Sequence, residues 1–84
     1  MFLTVFLQAV MGASLAKVGA AFAASVAVIG ASWGISRIGS TALESMARQP
    51  EAAGDIRSGM VLAAALIEGV AMFAVVVCFL VLFV

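Results

Sequence analysis

Histidine and tyrosine are absent from this 84-residue chain, and cysteine, proline and tryptophan occur once each. A lone Cys78 excludes a disulfide framework within one chain. No metal site and no cofactor are expected. Four basic and four acidic side chains cancel, so nothing in the charge points to nucleic acid or an acidic substrate.

What is present is apolar: 67% of the residues are hydrophobic. A soluble domain this short has little interior in which to bury such a share. Left on the surface, it would form patches that aggregate. Lipid is the solvent this composition fits. A spanning helix needs about 20 apolar residues, and the chain has room for two. Residues 18–36 carry no charge between Lys17 and Arg37, and after Arg57 only Glu68 interrupts the run to Val84. Two strands cannot close a barrel, so the backbone of both spans is satisfied as helix.

Glu44, Arg48, Glu51, Asp55 and Arg57 crowd the segment between the spans, together with Pro50 and Gly54. Proline cannot continue a helix that begins well before it, so the chain turns there and runs back. The fold class is an all-α membrane protein: a two-helix transmembrane hairpin. Helix one is expected over about 8–46, a polar loop over 47–52 and helix two over 53–83. Arg37, Arg48 and Arg57 lie in or near the loop, against Lys17 alone on the terminal side. The positive-inside rule places the loop in the cytoplasm and both termini outside. Residues 1–7 lack the basic region of a signal peptide and are expected to be retained, which fits a bacterial plasma membrane.

Glu68 stands eleven residues beyond Arg57, about 16 Å along a helix axis and close to the bilayer midplane. A charged carboxylate there costs roughly 2.5–3.5 kcal/mol, so desolvation favours the neutral acid as its resting form. Such a group, ionising whenever water or a cation reaches it, is suited to carrying protons. Lys17 and the three arginines lie turns away, so any counter-charge must come from another protein chain. The plain alternative is a glutamate that only bonds helices together.

Helix one is rich in small residues. Gly30 and Gly34 form a GxxxG pair, Ser32 and Ser36 alternate with them, and Gly12, Ala16, Gly19, Ala20, Ala23, Ala24 and Ala27 continue the pattern upstream. Small residues let helix backbones approach closely in lipid, and this many of them suits packing on both flanks. Identical hairpins joined head to tail close into a homo-oligomeric ring when the rotation permits. Helix two, with Val61, Leu62, Leu66, Ile67, Met72 and Phe73, is bulkier and is expected to form an outer, lipid-facing layer. Ser32 and Ser36 are expected to bond back to their own helix. Trp33 is read as a packing residue and Cys78 as a lipid-facing thiol.

The run Ala47-Arg48-Gln49-Pro50-Glu51-Ala52-Ala53-Gly54-Asp55, the small-residue repeat before it and Ala65-Leu66-Ile67-Glu68-Gly69 after it resemble the proteolipid of F-type rotary ATP synthases, the c-type protein of the rotor ring. The resemblance implies that Glu68 is the essential ion-binding carboxylate and that Ala31 and Ile35 approach it from helix one. It implies that Arg48, Gln49 and Pro50 dock on the central stalk, formed by the gamma and epsilon subunits. The ring would turn against the stator (the a-type membrane protein), whose arginine would supply the missing counter-charge. Its rotation would drive ATP synthesis in a head to which this chain contributes no catalytic site.

Sodium-binding members of that family carry a glutamine on helix one and hydroxyl side chains just after the carboxylate. Ile35, Gly69 and Val70 stand at those positions here. A hard cation needs several oxygen ligands, whereas a proton needs one acceptor, so H+ is the expected ion. Phe73 stands where some members place a tyrosine, so the acid is expected to lean on a backbone carbonyl, that of Leu66, or on water. Arg37 lies inside the hydrocarbon by pairing around the loop, roughly 9 Å from the midplane, and is read as snorkelling. The first ten residues extend helix one beyond the family's usual length. Alternatives are a Na+-coupled ring of the same family, and a pore-forming or structural membrane hairpin.

Overall fold

Pro50 decides where the chain reverses. The residue before a proline is driven out of the α region, and Gln49 accordingly adopts φ −131° and ψ 69°. Its N–H still donates to the Ser45 carbonyl at 2.8 Å, closing the last turn. In the computed structural model, which describes residues 1–84, helix α1 spans Phe2–Arg48. A single 3-10 turn, Pro50–Ala52, follows, and helix α2 spans Ala53–Val81. Arg48 stands in the last turn of α1 and Asp55 in the first turn of α2, the ends at which the helix dipole favours each sign.

Helix α1 begins at Phe2 rather than near residue 8. No proline or glycine interrupts residues 2–8, and nothing there breaks the helical ladder once it is propagating. The result is a rod 73 Å long. Residues 1–19 are all exposed, and α1 runs past the end of α2.

One stripe on each helix faces the other. On α1 it runs through Ala20, Ala24, Ala27, Ala31, Gly34, Ile38 and Ala42; on α2 through Ile56, Met60, Ala63, Ile67, Ala71, Ala74 and Cys78. Steps of three and four keep each set on one face. Most of these residues are small because the two backbones lie close together, and van der Waals packing is what joins helices in lipid. Only Ala20 and Ala42 are buried, each 8% exposed. A hairpin with so little interior relies on lipid or neighbouring protein to cover its remaining surface.

Among the glycines, only Gly34 is closely approached: a Cβ there would lie 3.2 Å from Ile67 Cδ1. Ile67 therefore faces α1, although its bulk had placed it with the residues expected to form an outer, lipid-facing layer. Its position four residues before Ala71 puts it on the packed face. Cys78, four beyond Ala74, is likewise half-buried on that stripe rather than lipid-facing. Gly30, the other half of the GxxxG pair, has open space where a Cβ would stand. Gly34→Leu should therefore destabilise the hairpin by about 1–3 kcal/mol through overpacking, read as a lower thermal midpoint in detergent. Gly30→Leu should leave that intrahairpin midpoint unchanged, and Gly34→Ala should lower it only slightly, because the Ile67 terminal methyl can shift.

Candidate functional site

Glu68 is the next residue after Ile67, so a rotation of about 100° carries it from the packed face to one flank of the hairpin. Its side chain is exposed there. Two grooves between the helices meet at this point, and both are lined by Ile35 and Glu68. The one toward the loop, about 450 Å³, is completed by Ile38, Gly39, Met60, Val61, Ala64 and Ala65. The one toward the termini, about 140 Å³, is completed by Val28, Ala31, Ser32, Ala71, Met72 and Val75. Neither groove is lined by a second acidic or a basic side chain.

Ala31 and Ile35 line the smaller groove with Glu68. Leu66 and Phe73 do not. Leu66 lies two residues back, about 200° around the axis, and its side chain lines a groove on the other flank with Gly30, Gly34, Ile67 and Val70. Phe73, five residues on and about 140° around, lines neither groove at Glu68 and is 74% exposed. Arg37 is exposed and also lines neither.

The chain has two side-chain hydrogen bonds, from Ser25 Oγ to the Ala21 carbonyl at 3.0 Å and from Ser58 Oγ to the Gly54 carbonyl at 3.1 Å. Glu68 makes none within the chain, and the Leu66 carbonyl is directed along the axis as in any α-helix. Ser32 and Ser36 also make none, contrary to expectation. Ser25 and Ser58 are the serines that bond back to the carbonyl four residues earlier.

Ser32, expected to serve packing, and Val28, which the sequence did not single out, also line the smaller groove. Helical spacing carried the signal: Ser32 and Val28 lie three and seven residues before Ile35 and share its face. Arg48, Gln49 and Pro50 are all exposed at the hairpin's turn, far along the rod from Glu68. Trp33 is exposed as well.

Comparison with known proteins places this geometry in a family. The family model for the C subunit of ATP synthase matches residues 18–81. The ATP synthase c subunit of Bacteroides thetaiotaomicron is 61% identical over 84 residues, covering 99% of both chains. That of Phocaeicola vulgatus is 58% identical over 83 residues, again 99% of both. A more distant relative of the same name, from Latilactobacillus sakei, is 47% identical over 64 residues, 76% of this chain and 91% of its own. With a two-helix apolar hairpin and a match over most of its length, the chain belongs to the ATP synthase c-subunit family, the ion-translocating rotor component of a bacterial membrane complex that makes ATP.

Proposed function

We propose that this protein carries protons, one at a time, on Glu68. The observation behind this reading is a single carboxyl at the meeting point of two largely apolar grooves, with no intrachain hydrogen bond or basic neighbour. A charged side chain is costly in hydrocarbon, so a carboxyl in that setting is suited to carrying a proton and giving it up beside an outside cation.

The two flanks of the hairpin suggest how copies assemble. One flank bears Glu68; the other, with Gly30, Leu66 and Val70, is apolar and partly small. Setting unlike flanks together gives a head-to-tail interface, and such interfaces generate rings when the rotation closes. In a ring each Glu68 faces its neighbour until rotation brings it to the stator, where a fixed arginine of the a-type protein would supply the counter-charge. The exposed turn at Arg48, Gln49 and Pro50 is free to dock on the gamma and epsilon subunits of the central stalk. Basic residues near that turn favour a cytoplasmic loop with both termini outside. The chain holds no catalytic site in this reading; ATP is made elsewhere in the complex.

Sodium fits the site less well. Apart from Glu68, the two grooves contain one oxygen-bearing side chain, that of Ser32. A hard cation wants several oxygens, and one carboxylate with one hydroxyl falls short.

Dicyclohexylcarbodiimide, which modifies neutral carboxyls, tests the reading directly. Glu68 should be labelled selectively, faster at low pH, and millimolar Na+ should not protect it. Labelling spread equally over Glu44 and Glu51 would contradict a special role for Glu68, and protection by Na+ would make sodium the ion. Glu68→Gln should assemble normally yet abolish proton-driven ATP synthesis, because the amide cannot give up a proton. Residual synthesis in membranes carrying only that variant would rule the carboxyl out as carrier.

A further inference from the structure

Of the seven serines in this hairpin, two form side-chain hydrogen bonds, and Ser32 alone among the other five lines a groove with Glu68. Ser25 and Ser58 donate to the carbonyl one turn back and are thereby satisfied. Ser32 makes no hydrogen bond, although its helix offers the Val28 carbonyl at the same spacing. It lines the smaller groove with Glu68, where every other lining residue is Val, Ala, Ile or Met. Two polar side chains therefore share one apolar groove, neither bonded to anything in the chain. In hydrocarbon an unpaired hydroxyl or carboxyl carries a desolvation penalty that pairing relieves.

We infer that Ser32 is a positioning residue for Glu68, its hydroxyl forming a hydrogen bond with the carboxyl across the groove lined by Val28, Ala31, Ile35, Ala71, Met72 and Val75. A hydroxyl has one donor and two acceptor sites. It donates to the carboxylate when Glu68 is ionised and accepts the acid's O–H when Glu68 is neutral, so one partner serves both states by rotating. Its role is to hold the carboxyl in the groove, against the alternative of swinging out to lipid. No other titratable side chain lines either groove from α1 or α2, and Arg37, the nearest cation on α1, lines neither. The inference rests on the proton-carrier reading and adds a residue to it.

Infrared spectroscopy of the assembled protein, with isotope-labelled glutamate, reads this contact. The C=O stretch of protonated Glu68 is identified as the band that Glu68→Gln removes. Ser32→Ala should move that band to higher wavenumber, as a carboxyl losing its hydrogen bond does. Ser32→Gly, a second hydroxyl-free variant, should do the same. Ser32→Thr, which keeps the hydroxyl, should leave it in place, as should Ser36→Ala, since Ser36 lines neither groove. An unmoved band in both hydroxyl-free variants would overturn the Ser32 assignment while leaving the carrier role intact. Carbodiimide labelling of the native protein reports separately on that role: a native Glu68 that resists the reagent would defeat the proton reading itself.

Discussion

Close approach of two helix backbones at Gly34 and Ile67 is the constraint on which the rest of the structure depends. In lipid there is no hydrophobic force to drive apolar helices together, and contact is made by van der Waals packing at short range. Gly34 admits the Ile67 side chain, with 3.2 Å between the position of a Cβ and the Ile67 terminal methyl. Alanines above and below continue the seam on both helices. Once Ile67 is committed to that seam, the helical rotation leaves Glu68 no place on it. The carboxyl must emerge on a flank.

That placement connects packing to chemistry. On the seam, a carboxyl would be enclosed by its own hairpin and removed from any partner. On the face directly opposite, it would point into lipid alone. The flank is intermediate: Ile35 and Ala31 shelter it from one side, and the next copy in an assembly can shelter it from the other. For the proposed carrier role, a boundary between copies would offer the acid surroundings that can be exchanged. The opposite flank, with Gly30, Leu66 and Val70, carries no polar side chain that would compete.

The turn is governed by a different residue and a different force. Pro50 forces Gln49 out of the helical region, and the three-residue turn that follows returns the chain with no glycine in a left-handed conformation. The polar residues Arg48, Gln49 and Glu51 are then exposed together at one end of the rod, while Glu68 lies about 25 Å along the axis from Ala52. The exposed polar turn and the intramembrane acid are thereby separated along one hairpin.

By itself the sequence determined the two spans, the reversal near Pro50 and the exceptional standing of Glu68. Each follows from a local or one-dimensional property: the spacing of charges, the chemistry of proline, and the position of one acid in an uncharged run. The near end of α1 was less legible, because no proline or glycine before position 8 marks a boundary, and the helix simply continues to Phe2. Only the tertiary structure decided which face of each helix meets the other. A helix that is apolar all round shows no preferred side in its pattern, so Ile67 and Cys78 read as lipid-facing until the register with α1 was known. The same register separated Gly34, which the packing needs, from Gly30, which the hairpin does not use. It also placed Ser32 with Glu68, and Leu66 and Phe73 away from it. Depth in the membrane is written along the chain, but direction around the helix axis is settled by contact with another helix.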